Sequence, residues 1–157
     1  MAEAHHALIR FGLGPRPGEA AALADPRAWL LTQMMTPPAA AAAFAGLPGS
    51  AVYFQREVAY LREVAGKRAA ADAAVGNFRK TFGADLLAEV RARTTWAVTT
   101  PGGFHERLTR FWSNHFAVSL DKRAASLYVL PMEREAIRTR VTGRFEDLLV
   151  AVTQHPA

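Results

Sequence analysis

Residues 104–123, which read FHERLTRFWSNHFAVSLDKR, constrain the fold of this chain more than any other stretch. At about 100° per residue, the large apolar side chains of this stretch fall on one broad helix face. That face comprises Phe104, Leu108, Phe111, Trp112, His115 and Phe116, and the opposite face carries Arg107, Arg110 and Asn114. The pattern therefore predicts an amphipathic helix over residues 104–116, with His115 in the middle of the face that turns toward the core.

The rest of the chain also favours helices, because alanine is used heavily and β-branched residues are sparse. Asp25 followed by Pro26 is typical of a helix start, and Gly12 and Gly14 end the segment before them. The predicted helices cover residues 3–11, 19–24, 26–35, 51–80, 85–99, 104–116, 131–140 and 144–154. The sequence thus predicts an all-α fold without a sheet, a compact array of about six to eight helices in one domain, residues 1–157.

Apolar spacing predicts which faces these helices bury. The expected stripes are Phe54, Val58, Leu61 and Ala65; Leu86, Leu87, Val90, Thr94, Ala97 and Val98; and Phe145, Leu148, Leu149 and Val152. The helix over residues 104–116 is expected to be central and to pack against the helices over residues 85–99 and 144–154. Residues 36–49, with three prolines and two glycines, predict a loop or linker, and Ser50 is expected to cap the next helix.

Composition excludes several classes of protein. The chain has no cysteine, which excludes disulfides, thiolate metal sites and a cysteine nucleophile. Its net charge of +5 is spread among acidic residues, so nucleic-acid binding is not favoured over an ordinary soluble protein of bacterial type. The N-terminal residues lack the pattern of a signal peptide, and no apolar run is long enough for a membrane span, so we expect a cytoplasmic protein.

The histidines are the first candidates for a functional site. His115 is either a core histidine bonded to a backbone carbonyl or a proton-transfer group in a pocket that Trp112 and Asn114 help to form. His105 lies ten residues away, about 15 Å along a helix, which excludes a metal site shared by the two. His5 could meet His115 only through tertiary packing. We predict no cofactor and no metal.

A second candidate group is ionic. Asp121 and Arg123 follow the aromatic helix, and an aspartate beside cations stays ionised. They serve either as a structural cluster or, with Arg107 or Arg110, as an anion pocket. No GxSxG elbow is present, and the glycines of GLGPRPG match neither Walker nor Rossmann spacing, so a turn is the better interpretation there.

Three stretches carry a family resemblance: HALIRFGLGPRPGE near the start, WSNHF in the aromatic helix, and EREAIRTRVTGRFEDLLVAVTQHPA at the end. In order and spacing they resemble the N-terminal part of the DUF1800 family of uncharacterised bacterial proteins, although Ile9 stands where a polar or basic residue is expected. The resemblance implies a helical fold and no assigned reaction. Because members of that family are usually longer, we expect this chain to be an N-terminal or truncated portion of a longer protein. An association of the family with the partly exported DUF1501 proteins leaves an envelope role open.

Two functions are therefore carried forward. The first is a non-catalytic helical module that assembles with further chain or with a protein partner. The alternative is part of a hydrolase-type enzyme whose pocket is centred on His115, with Asp121 and Arg110 as its catalytic partners and Arg123 beside them.

Overall fold

The computed structural model describes residues 2–65, 71–120 and 125–157, and these residues form an all-α fold, which confirms the predicted fold class. They contain eight α-helices and no strand. The helices are α1 (Ala2–Phe11), α2 (Glu19–Ala22), α3 (Pro26–Met35), α4 (Ser50–Ala65), α5 (Ala71–Thr99), α6 (Gly103–His115), α7 (Val129–Met132) and α8 (Phe145–Thr153). Two 3₁₀ helices, Ala40–Phe44 and Ala125–Leu127, and a π-helical segment, Glu133–Ile137, complete the described secondary structure.

The predicted start and stop signals of the first helices are confirmed. The Asp25 carboxylate accepts hydrogen bonds from the backbone N–H groups of Arg27 and Ala28, at 3.0 and 2.9 Å, and Pro26 occupies the first turn of α3. Gly14 has a φ of 102°, a conformation that favours glycine, and its N–H bonds to the Leu8 carbonyl at the end of α1.

Side chains from α3 and α6 tie the N-terminal helices to the start of α6. The Gln33 side chain accepts a hydrogen bond from the Phe104 backbone N–H at 2.8 Å and donates to the Pro101 carbonyl at 3.3 Å. It thus satisfies a free donor in the first turn of α6, which has no side-chain cap of its own. Arg107 in turn donates to the carbonyls of Ile9 and Gly12 at the end of α1.

Helix α5 runs without a break through residues 80–85, where two separate helices were predicted. Gly83 lies inside this helix and Asp85 does not begin a new one; its carboxylate instead accepts hydrogen bonds from Arg56 of α4 at 3.1 Å. The predicted helix over residues 51–80 is therefore wrong in its C-terminal boundary. Residues 66–70, between α4 and α5, lie outside the described residues.

The predicted apolar stripe of α4 is also wrong, because Phe54 and Leu61 are exposed and the buried residues are Tyr53 and Tyr60. Tyr60 meets the rings of Phe78 and Phe82 edge-on at 5.8 and 5.9 Å. The Tyr53 hydroxyl group is compatible with burial because it donates to the buried carboxylate of Glu89 at 3.4 Å. The stripe predicted for α5 fails in the same way, since its members Leu87, Val90 and Val98 are exposed whereas Glu89 is buried.

Helix α6 buries a polar face rather than the aromatic face that was predicted. Its fully buried residues are His105, Glu106 and Thr109, whereas Phe111 and His115 are exposed. The prediction that His115 lies within the core is therefore wrong. The reason is tertiary: α6 packs on α1, α3 and the π-helical segment, which supplies a countercharge for Glu106.

The apolar side of α6 makes a second, partly buried contact. Leu108, Trp112 and Phe116 pack against a core cluster formed by Met132, Ala136, Ile137, Val141 and Leu148. The Trp112 ring lies 5.5 Å from that of Phe145, which confirms the predicted contact with the last helix. Helix α6 and residues 85–99 were predicted to pack against each other, and between them the structure has a cavity that side chains of both helices line.

Residues 36–49 form a packed segment rather than a free linker. Phe44 is buried, and its ring contacts Trp96 of α5 at 6.4 Å. Ser50 does not cap α4 with its side chain; its N–H and hydroxyl both donate to the Glu135 carboxylate, at 2.9 and 2.7 Å. Pro38 lies so close to Gly102 that a Cβ atom there would be 2.5 Å from the proline ring.

This close approach gives a first prediction. We expect Gly102→Ala to lower the free energy of unfolding by roughly 1–3 kcal/mol, because the rigid proline ring cannot move aside without shifting the backbone. Gly83→Ala is the matched control: a Cβ there meets nothing within 4 Å, and alanine stabilises a helix interior by up to about 1 kcal/mol. Urea denaturation of both variants measures the difference, and equal stabilities would contradict the packed position of residues 36–49.

Candidate functional site

Five charged residues form one ion-pair cluster where α5, α6 and the π-helical segment meet: Arg93, Glu106, Arg110, Glu133 and Arg138. Arg138 joins the two carboxylates, because it donates to both oxygens of Glu106 and, at 3.0 Å, to Glu133. Glu106, Glu133 and Arg138 are buried. A buried charge is costly without a partner, so each of these three groups depends on the others.

Arg93 and Arg110 form the outer arms of this ion-pair cluster, and their side chains are 31% and 35% exposed. The Nε–H group of Arg93 donates to Glu133 Oε2 at 2.7 Å. The Nε atom of Arg110 lies 3.3 Å from Glu106 Oε1, but it is not aligned for a hydrogen bond. Ser113 Oγ lies 3.0 Å from Glu133 Oε2 and 2.8 Å from the Thr109 carbonyl, and its single proton serves one acceptor at a time.

A cavity of about 770 Å³ opens beside the ion-pair cluster, between α5, α6 and residues 126–137. Its walls are mainly apolar, and the residues that form them are Phe78, Leu86, Val90, Ala117, Leu120, Val129, Leu130, Met132 and Ile137. Its polar lining comes from Arg93, Arg110, Ser113, Asn114 and Glu133, together with Ser126. An apolar cavity with a few convergent polar groups is the usual form of a small-molecule site.

His105 is the buried histidine of α6. Burial lowers its pKa, the positive charge of Arg138 lowers the pKa further, and Glu106 opposes the shift. Its Nδ1 atom has no hydrogen-bond partner within the part of the chain that is described. The structure thus holds the imidazole neutral beside the ion-pair cluster.

The residues predicted for a functional site fall in different places. Arg110 and Asn114 line the cavity, whereas His115 and Trp112 do not. His115 is exposed and stacks on Phe111, with ring centroids 6.4 Å apart. His115 is therefore not part of this cavity, and a pocket centred on His115 and a catalytic role for it stay predictions.

The remaining candidates do not join this group. His5 is exposed on α1, in a shallow depression with His6 that the ion-pair cluster does not reach. Asp121 and Arg123 lie outside the described residues, so their pairing with Arg110 stays a prediction. Among the described residues, no group of three or more histidine, aspartate and glutamate side chains is placed to hold a metal ion. None of the described helices combines the length and the apolar character that crossing a bilayer requires.

In a comparison with protein families, the family model described as a protein of unknown function (DUF1800) matches residues 6–157. The chain belongs to the DUF1800 family. This confirms the resemblance seen in the sequence, and it assigns no reaction. Comparisons with curated proteins and with solved structures gave no match.

The sequence of this DUF1800 chain contained a signal for the ion-pair cluster that apolar spacing did not detect. Glu106, Thr109 and Ser113 recur at helical spacing and form a continuous polar stripe on α6. Such a stripe is usually solvated. Here it is buried, because Arg138 from a distant segment pairs with Glu106. Glu133 and Arg138, five residues apart in a π-helical turn, do not stand out at α-helical spacing.

The buried charges give a second prediction. We expect Glu106→Ala to lower the free energy of unfolding by about 3–5 kcal/mol, because it leaves a buried guanidinium short of a countercharge. Glu146→Ala removes the same group from an exposed pair with Arg144 and should cost no more than about 1 kcal/mol. Urea denaturation at neutral pH measures both, and a small loss for Glu106→Ala would show that the cluster does not stabilise the fold.

The neutral imidazole gives a third prediction. The pKa of His105 is lower in the folded state than in the unfolded chain, where it is about 6.5, so the unfolded state binds more protons as the solution is acidified. The stability that this neutral histidine contributes is complete above pH 6.5 and is lost as the pH falls below it. We expect the free energy of unfolding to decrease between about pH 7 and 5, by at most about 1.4 kcal/mol per pH unit from this group.

The two histidines of α6 provide the test. His105→Gln should make this pH dependence shallower, and His115→Gln, which removes an exposed histidine of the same helix, is the matched control. The measurement is urea denaturation of each variant over the same pH series. Identical slopes in the two variants would exclude His105 as the source.

Proposed function

We propose that this DUF1800 chain is a non-catalytic helical module that binds a small molecule with an apolar body in the cavity between α5 and α6. The observation that supports this proposal is the cavity itself, whose volume of about 770 Å³ is within the range of small-molecule sites. Its apolar wall includes Val90 and Leu120, which are 48% and 66% exposed.

The energetics favour a ligand with an aliphatic chain. Each methylene group that moves from water into such a cavity contributes about 0.8 kcal/mol, so an eight-carbon chain gains roughly 6 kcal/mol before the costs of association. Buried charges at one end of the cavity already hold the surrounding helices together. The site is thus largely formed before the ligand arrives, which lowers the cost of binding.

The hydrolase alternative has no observation in its favour. His115 lies on the surface and outside the cavity lining, and Ser113 has no histidine among its hydrogen-bond partners. Assembly with further chain or with a protein partner stays a prediction, as do the cytoplasmic location and the expectation that nucleic-acid binding is not favoured. The exposed rings of Phe111 and Phe145 are the feature that supports assembly.

A fourth prediction tests the cavity with 1-octanol, a ligand that has an apolar chain and no charge. We expect calorimetric titration to detect binding to the unaltered chain, and Val90→Trp to weaken it at least about tenfold because the indole fills the apolar part of the cavity. Val98→Trp is the matched control, since Val98 is an exposed valine of the same helix that does not line the cavity. Equal weakening by both variants would contradict the proposed function, as would absence of binding of both 1-octanol and octanoate, which has the same chain length and a carboxylate.

A further inference from the structure

The charge balance of the ion-pair cluster indicates what kind of ligand the cavity accepts. Three guanidinium groups, those of Arg93, Arg110 and Arg138, face only the two carboxylates of Glu106 and Glu133. Within the described residues, the cluster therefore carries one surplus positive charge. Arg138 is enclosed in the interior, whereas Arg93 and Arg110 line the cavity. The surplus positive charge therefore faces the cavity through these two arginines.

Both of these arginines have hydrogen-bond donors that the ion-pair cluster does not use. Arg93 uses its Nε–H group on Glu133, and Arg110 places its Nε atom beside Glu106. The terminal nitrogens of both side chains have no partner among the residues that the structure describes. A guanidinium group with two free terminal donors matches the planar oxygen pair of a carboxylate.

The two arginines lie at the same end of the cavity. Arg93 and Ser113 both reach Glu133 Oε2, at 2.7 and 3.0 Å, and Ser113 follows Arg110 by three residues, one turn along α6. Asn114 lies beside Ser113 in the cavity lining and adds an amide group. The apolar wall, which includes Leu86 and Leu130, forms the rest of the enclosure. The cavity thus has a cationic end and an apolar body.

We propose that the natural ligand is an amphiphilic carboxylate, such as a medium-chain fatty acid, whose carboxylate pairs with Arg110 and Arg93 and whose chain lies along the apolar wall. This inference rests on the proposed function. A carboxylate carries one negative charge, which equals the surplus of the cluster. A phosphate monoester carries about 1.5 to 2 negative charges at pH 7, and the Glu133 carboxylate in the cavity lining disfavours the excess.

Four ligands with the same chain test the charge preference on the unaltered protein: octanoate, octanol, octylammonium and octyl phosphate. We expect calorimetric titration at low ionic strength to give octanoate about tenfold tighter binding than octanol, with octylammonium weakest. Octanol binding equal to or tighter than octanoate would overturn the carboxylate inference and leave the proposed function standing. Tighter binding of octyl phosphate would overturn the choice of carboxylate, and failure of both octanoate and octanol to bind would overturn the proposed function as well.

Charge-removing variants then locate the preference. Arg110→Met should weaken octanoate binding about tenfold and leave octanol binding unchanged, whereas Arg110→Lys should retain part of the difference. Arg144→Met removes the same charge from an exposed residue of the same chain and should change neither affinity. Equal losses in Arg110→Met and Arg144→Met would overturn the assignment to Arg110. Arg93→Met, at the other outer arm, provides the same comparison if Arg110→Met does not fold.

Discussion

The pairing of Arg138 with Glu106 and Glu133 is the interaction on which the rest of this structure depends. It joins α6 to the π-helical segment through charges that are almost completely removed from water. Arg138 also lies 5.1 Å above the ring of Phe44, so the same side chain holds the segment before α4 in place. Because a buried charge without a partner is strongly unfavourable, loss of either carboxylate destabilises the position of Arg138.

This pairing also sets the orientation of α6. A helix that was expected to bury its rings instead buries Glu106 and Thr109, and its aromatic face is shared between the core cluster around Leu148 and solvent. In this orientation of α6, Arg110, Ser113 and Asn114 line a cavity between α6 and α5, where a contact between the two helices was expected. One buried ion-pair cluster thus stabilises the fold and forms the polar end of the candidate site.

The same principle operates between α4, α5 and the π-helical segment. Glu89 is buried, accepts hydrogen bonds from Arg134 at 2.7 and 3.0 Å, and lies 3.4 Å from the Tyr53 hydroxyl. Arg134 also donates to the Pro48 carbonyl, which holds the start of α4 against the π-helical segment. Interior polar groups in this family member are therefore connectors between segments that are distant in sequence, while the large apolar residues are divided between the core and the surface.

Local signals in the sequence determined the all-α class, the capped start of α3 at Asp25, the glycine-terminated end of α1 and the extent of α6, because each depends on residues within one or two helical turns. The motifs WSNHF and GLGPRPG also identified the family. Only the tertiary structure decided which face of α4 or α6 is buried and which arginines meet in the cavity. Glu106 and Arg138 are 32 residues apart, and whether such charges are solvated or paired in the interior depends on the packing of whole helices, which helical periodicity does not encode.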